Sequence, residues 1–206
     1  FFARLGRPLN HALLPGGLEH KLLMGLPREP TIFQAVSEVA DCRAVSITPG
    51  GMSWLHAVVQ IVKHSPDDGR RAIKAAFRGH GSLKHTVVVD EDVDPFDPAA
   101  VEWAIATRFQ ADRDLMIFED QPSSSLDPSA TLPSTALGTP FGRRAGPSAK
   151  LVPGQKARSA KMGLDATIPW TDRTGRPLSP AEREGFHKVR YEEVDLSCYL
   201  ESLAKV

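Results

Sequence analysis

The side chains of this sequence best suited to reactive roles are acids and lysines set beside apolar runs. Glu19 lies in Gly17-Leu18-Glu19-His20-Lys21, a Leu-rich stretch between the turn signals Pro15-Gly16-Gly17 and Gly25-Leu26-Pro27. A carboxyl group held among apolar neighbours binds its proton more tightly and can deliver it to a substrate. The alternative is a solvent-facing acid on a short helix, and spacing alone favours that one. Lys84 precedes the apolar run Thr86-Val87-Val88-Val89 and offers either a charge for a phosphate or an ordinary strand edge. Asp90-Glu91-Asp92-Val93-Asp94 alternates acids like a calcium loop. Such a loop needs Gly at its sixth position and Glu at its twelfth, and here those are Pro95 and Val101. A solvated strand end is the favoured use of that run, with a ligand site beyond a buried strand as the alternative. Lys161-Met162-Gly163-Leu164-Asp165-Ala166-Thr167 packs a charge pair among apolar neighbours, and periodicity gives no reason for it.

Other chemistries are excluded by what the pattern lacks. The seven histidines include no His-x-x-x-His pair, and His80 and His85 flank a turn instead of sharing a helix face. Cys42 and Cys198 have no ligand-spaced partners, so no metal residues are assigned. There is no nucleophile elbow, phosphate loop or dinucleotide fingerprint. Lys+Arg and Asp+Glu number 25 each, so the zero net charge gives no general attraction for nucleic acid or anionic lipid. No apolar run approaches the ~20 residues of a membrane helix. Two cysteines make no disulfide framework, and a reducing, cytoplasmic setting is expected. With 206 residues, 41% hydrophobic and 24% charged, the chain suits an ordinary globular domain with one sizeable core. It opens Phe1-Phe2-Ala3-Arg4, which is expected of the later part of a longer polypeptide.

The elements that must carry these residues are α and β in alternation. Leu18 to Met24 suits about two helical turns. A helix is expected from Pro30 to about Ala40, with Ile32, Phe33 and Val36 on its buried face. Residues 43–47 alternate as a strand, Thr48-Pro49-Gly50-Gly51 turns the chain, and Trp54 to Val62 returns as the second arm of an antiparallel hairpin. Ser65-Pro66-Asp67-Asp68 starts a helix buried through Ile73, Ala76 and Phe77 and ended by Gly79 and Gly81. Thr86 to Val89 reads as a strand buried on both faces. Asp97 caps a helix with Pro98 in its first turn and Val101, Ala104 and Ile105 inward. Leu115 to Phe118 reads as a short buried strand. Residues 121–160, rich in Ser, Pro, Gly, Ala and Thr, read as one long loop that could wrap a neighbouring subunit. Ser179-Pro180-Ala181-Glu182 is a capping box, and a last helix carries Leu196, Tyr199, Leu200 and Leu203 as an apolar stripe. The fold class is therefore α/β, a mixed, mostly parallel sheet with flanking helices, the long loop 121–160 and a C-terminal helix. The expected organisation is an entry segment 1–27 bearing Glu19, an α/β domain over 28–170 and a helical extension over 171–206.

Several segments together resemble the UbiD family of decarboxylases. Val89-Asp90-Glu91-Asp92-Val93-Asp94 followed by Val101-Glu102-Trp103-Ala104-Ile105-Ala106-Thr107-Arg108 matches an acidic run and a Trp-Ala-x-x-Thr-Arg helix. Pro49-Gly50-Gly51, the strand Ala57 to Ile61, Ser125-Leu126-Asp127-Pro128-Ser129 and Lys161 to Thr167 match further segments in order. The resemblance spans about residues 13–170. It implies reversible, non-oxidative decarboxylation of aromatic or α,β-unsaturated acids with prenylated FMN. It further implies a divalent metal (Mn or Mg) and K, all bound mainly by an N-terminal domain. It implies as well that dimers or hexamers form through an α/β C-terminal domain. Only that C-terminal part is matched here. The Glu-Gly-Pro-Tyr-Gly-Glu-like, Arg-bearing and metal-binding segments are not found, so the chain by itself is expected to be inactive. By the same resemblance Glu19 would be the catalytic, proton-transferring acid, Lys84 a cofactor-phosphate residue and Leu126 a substrate-pocket residue. Gly16-Gly17-Leu18 stands where Pro-rich residues are usual in the family. Leu14 to Gly25 is most similar to archaeal members, which makes trans-anhydromevalonate 5-phosphate one expected substrate and a polyprenyl-hydroxybenzoate or other aromatic acid another. The competing reading is an oligomerisation module without activity of its own. A nucleotide-binding regulator lacks every phosphate motif.

Overall fold

The computed structural model describes residues 18–124, 127, 129–130, 156–188 and 197. It divides into two units, Phe1–Thr167 and Ile168–Val206. In the first, α1 (Leu18–His20) runs through a π-helical turn (Lys21–Gly25) and a 3₁₀ turn (Leu26–Arg28) into α2 (Glu29–Ser37). There follow β1 (Asp41–Ile47), a 3₁₀ turn (Pro49–Gly51), β2 (His56–Val62), α3 (Asp68–Gly79), β3 (His85–Asp90), α4 (Pro98–Arg108), β4 (Leu115–Ser123) and β5 (Ala157–Asp165). The second unit contains α5 (Pro180–Glu184), whose Ser179–Glu182 capping box is formed as expected. The Leu196 to Leu203 stripe lies outside the described residues.

The five strands lie in the order β1-β2-β3-β5-β4. β2, β3 and β5 run parallel in the centre, and β1 and β4 pair antiparallel at the two edges. α2 and α3 cover one face through Ile32, Val36, Ala72, Ile73 and Ala76, packed on Val45, Ile47, Val59, Ile61 and Val88. α4 covers the other through Ala100, Val101 and Ala104, against Val58, Val87 and Val89. Val87, Val88 and Val89 thus feed opposite cores, which is why β3 tolerates a continuous apolar run.

Four expectations need correction. Residues 121–160 are not all loop, because β4 runs to Ser123 and β5 begins at Ala157. The charged Lys161 to Asp165 stretch hid β5, and β5 separates β3 from β4. β4 is an edge strand, and Ile117 is 61% exposed, so Leu115 to Phe118 is not a buried strand. β2 begins at His56 because Met52 and Ser53 take left-handed backbone (φ 58° and 54°), which places Trp54 in the turn. Phe33 is 40% exposed, leaving Ile32 and Val36 as the buried face of α2.

Candidate functional site

The polar side chains gather at the end of the sheet where β2 and β3 start. Lys84 donates its amide to Leu55 O (2.8 Å), and its carbonyl accepts from Met162 N (2.9 Å), so its backbone is pinned on both sides. Its ammonium reaches Asp127 Oδ1 (3.1 Å) and Ser129 Oγ. Asp127 Oδ1 also accepts from the Ser129 amide (2.9 Å) and hydroxyl (2.8 Å). Burial works against ionising Asp127, but the Ser129 amide and the Lys84 ammonium overcome it and hold the carboxyl below its usual range. Trp54, next to Leu55, donates its indole N–H to Ser124 Oγ (3.2 Å). Lys84 and Trp54 therefore hold Asp127, Ser129 and Ser124, just beyond the end of β4.

Trp54 also joins this end to α1. The His20 ring stacks on it with centroids 5.9 Å apart, His80 meets it edge-on at 4.4 Å, and the Arg28 guanidinium lies 5.9 Å from its centroid. Burial pushes His80 down to about 4, against a hydrogen bond with the Trp54 backbone that favours its charge. His56 and His85, opposite each other on β2 and β3, lie 6.0 Å apart. Burial, with His85 nearby, takes His56 down to about 4. Lys21 bonds Glu29 and Ile47 O (2.5 Å), while Ile47 N donates to Glu29 Oε1 (2.9 Å), fixing the π-turn to the end of β1. Gly25 permits the close approach, since a Cβ there would lie 2.5 Å from Ser53 O. With Lys21 and His20 turned inward, Glu19 faces outward and is exposed. Beside it Leu22 and Leu23 are 52% and 67% exposed, and Met24 and Leu26 are exposed as well.

Glu19 and Lys84 thus lie at one end of the sheet, linked through His20, Trp54 and Leu55. Leu126 lies outside the described residues. Sequence reasoning missed Trp54, His80 and the Asp127–Lys84 pair; the Asp-x-Ser spacing of a side-chain-capped turn was the available signal. The acidic run has a different use from the solvated strand end expected for it. Asp90 and Asp92 both bond the buried Arg108, and Gln60 Nε2 donates to Glu91 O (3.1 Å) and Val93 O (2.9 Å). Among the described residues no group of three or more His, Cys, Asp or Glu side chains could hold a metal ion. None of their helices is long and apolar enough to cross a membrane. These residues therefore do not fit the flavin's metal centre, and the ammonium of Lys84 is already bonded to Asp127 and Ser129.

Residues 21–166 match the family model of the UbiD C-terminal domain, described as the 3-octaprenyl-4-hydroxybenzoate carboxy-lyase C-terminal domain. The chain belongs to the UbiD family. Glu19 lies two residues before the match, and Lys84 lies within it. The anhydromevalonate phosphate decarboxylase of Methanocaldococcus jannaschii is 53% identical over 166 residues, 80% of this chain and 34% of that protein. The gallate decarboxylase of Lactiplantibacillus plantarum is 39% identical over 157 residues, 74% of this chain and 29% of that protein. Among solved structures, the UbiD-class enzyme HmfF from Pelotomaculum thermopropionicum in complex with FMN superposes with a TM-score of 0.62. It is 34% identical and covers 94% of this chain and 37% of its own. The apo 3,4-dihydroxybenzoic acid decarboxylase of Enterobacter cloacae gives 0.64 at 28% identity, covering 91% of this chain and 34% of its own. This UbiD chain spans about a third of the length of the curated relatives it matches.

Proposed function

We propose that this chain works as the C-terminal third of a non-oxidative decarboxylase whose substrate is trans-anhydromevalonate 5-phosphate. The substrate class follows the 53% and 48% identity to anhydromevalonate phosphate decarboxylases of two archaea, against 39% to a gallate decarboxylase. Prenylated FMN, with a divalent metal and K, is held mainly by the other two thirds; among the described residues here no group of three or more His, Cys, Asp or Glu could hold a metal ion. The complete protein is a cytoplasmic carboxy-lyase and a homo-oligomer.

The observation that carries this reading is the setting of Glu19. It is exposed on a helix otherwise anchored inward, and it is flanked by exposed Leu22, Leu23, Met24 and Leu26. Covering that apolar surface with the rest of the polypeptide removes water from around the carboxyl group. A carboxyl group shielded in this way can pass a proton to a bound substrate without competition from water. When the C–C bond to CO2 breaks, its electron pair is left on the α-carbon. Glu19 delivers the proton that completes the new C–H bond and is reprotonated from solvent. Leu126 lines the pocket for the carbon skeleton. In the complete enzyme Glu19→Gln abolishes turnover with folding intact; undiminished decarboxylation of trans-anhydromevalonate 5-phosphate by that variant would remove Glu19 from the reaction.

The second reading, an assembly module inactive by itself, draws on Ile117, exposed on the edge strand β4. Ile117→Lys should then lower the mass found by light scattering, and an unchanged oligomer counts against it.

A further inference from the structure

We infer that Arg28 binds the phosphate group of the substrate and so sets the preference of the complete enzyme for a phosphorylated acid. The inference rests on the substrate reading given above. The neighbouring cations are already committed. Lys84 gives its ammonium to Asp127 and Ser129, and Lys21 bonds Glu29 and Ile47 O. Glu29, next to Arg28 in sequence, is in turn held by Lys21 and by Ile47 N (2.9 Å). Arg28 is exposed, and among the described residues no carboxylate forms an ion pair with it. Its guanidinium lies instead 5.9 Å from the centre of the Trp54 ring. Contact with a ring orients a guanidinium without neutralising it. Burial is the main cause of the low proton affinity of His80, and the Arg28 charge lowers it further.

The backbone that carries Arg28 is fixed, as a binding residue requires. Thr31 Oγ1 donates to Arg28 O (2.8 Å) at the start of α2. Gly25 packs so closely that a Cβ there would lie 2.5 Å from Ser53 O. His20 stacks on the same Trp54 ring, with centroids 5.9 Å apart, and Glu19 precedes it. The proposed proton donor and Arg28 are thereby tied to one indole. In trans-anhydromevalonate 5-phosphate a short saturated chain separates the double bond from the phosphate. A guanidinium presents paired N–H donors that match two phosphate oxygens. Glu19 at the α-carbon and Arg28 at the phosphate would hold such a molecule in one direction. The flavin carries a phosphate too, but the two sources differ in effect. A ligand of the flavin phosphate acts on cofactor binding whatever acid is decarboxylated. A ligand of the substrate phosphate acts only on acids that carry one.

The experiment uses the complete, cofactor-loaded enzyme and its Arg28→Met and Arg28→Lys variants. It measures kcat and KM for trans-anhydromevalonate 5-phosphate and for the same acid with a free hydroxyl in place of the phosphate. FMN affinity is read by fluorescence quenching. The wild type prefers the phosphorylated acid. In Arg28→Met the KM for that acid rises about tenfold or more, the loss of a charge-assisted contact, while kcat stays within about twofold. The hydroxyl acid is unaffected, so the preference falls by the same factor, a coupling between one residue and one substrate group. Arg28→Lys, which keeps the charge without the fork, recovers part of it. FMN affinity stays within about twofold. A fall of about tenfold in FMN affinity, with both acids affected alike, assigns Arg28 to the flavin phosphate and overturns the inference. An unchanged preference in Arg28→Met overturns it as well. A wild type that does not decarboxylate the phosphorylated acid overturns the substrate reading and this inference with it, and that failure shows before any substitution is made. Loss of an exposed arginine outside any ion pair leaves folding intact. Should Arg28→Met fold poorly, Arg28→Gln gives the same comparison with a polar side chain.

Discussion

Arg108 faces Asp92 with both arms of its guanidinium, Nη1 3.0 Å from Oδ1 and Nη2 2.5 Å from Oδ2. Nη1 also lies 3.3 Å from Asp90 Oδ2, and the guanidinium sits 5.0 Å from the centre of the Trp103 ring. The Arg108 side chain has no exposed surface. Two segments singled out in the sequence, the acidic run and the Trp-Ala-x-x-Thr-Arg helix, are therefore two halves of one contact. α4 ends on the strand that feeds it, and the paired geometry accounts for arginine over lysine.

Breaking that contact leaves two carboxylates facing a cavity. Losing one partner of a buried ion pair costs about 3–5 kcal/mol. Arg108→Met should therefore lower unfolding stability by about that amount, read from the urea midpoint. Arg108→Lys should recover little, since one ammonium cannot span both oxygens of Asp92. A loss below about 1 kcal/mol would mean that the acidic run is held by Gln60 and the backbone instead.

Acid should loosen the head of the sheet before it titrates the carboxylates. His80 and His56 lie at about 4 in the folded protein, and His85 is also lowered, all chiefly by burial. The unfolded chain takes up these protons near 6.5, so it binds more protons than the native state between 6.5 and 4. The stability is complete above 6.5, falls as pH drops through that window, and levels off below 4. His80→Gln, which removes one such group, should show a shallower fall in thermal midpoint from pH 7 to 4.5. An equally steep fall in the variant would place the effect on His56 and His85.

Gly163 should tolerate no side chain. A Cβ there would collide with Ile73 Cγ2, because α3 lies directly on β5 at this point. Overpacking a filled core costs roughly 1–3 kcal/mol. Gly163→Ala should be destabilised by about that much in denaturant unfolding, and combining it with Ile73→Ala, which removes the colliding Cγ2 methyl, should cost less than the sum of the two single changes. Full stability in Gly163→Ala would show that α3 can retreat.

This position also explains what could and could not be read from the residues. Periodicity located α3, β3 and α4 because their buried faces repeat at helix or strand spacing, and Asp97 and Ser179 marked helix starts through local hydrogen bonds. β5 escaped because its charges are consumed at long range. Lys161 donates to Gly81 O (2.5 Å) across the Phe77 ring, and the Asp165–Thr167 pair reaches Lys63 through Thr167 Oγ1, 2.7 Å from Lys63 Nζ. No local pattern announces partners about 80 and 104 residues away. The candidate site was hidden for the same reason. Glu19 and Lys84 were visible as residue types, but Trp54, which connects their elements, read as the first residue of a strand.

The apolar surface around Glu19 yields the last prediction. Leu23 is 67% exposed, and a side chain so placed contributes little to the stability of the chain that carries it. Leu23→Glu should change the unfolding stability of this chain by no more than about 0.5 kcal/mol. In the complete decarboxylase the same substitution puts a charge where an apolar cover is proposed to seal the acid from water. A charge forced into a closed apolar contact is costly, so turnover should fall by about tenfold or more while the unfolding of this domain is unchanged. Full activity in Leu23→Glu would mean that this surface stays open to solvent, and the closed site proposed around Glu19 would then not form.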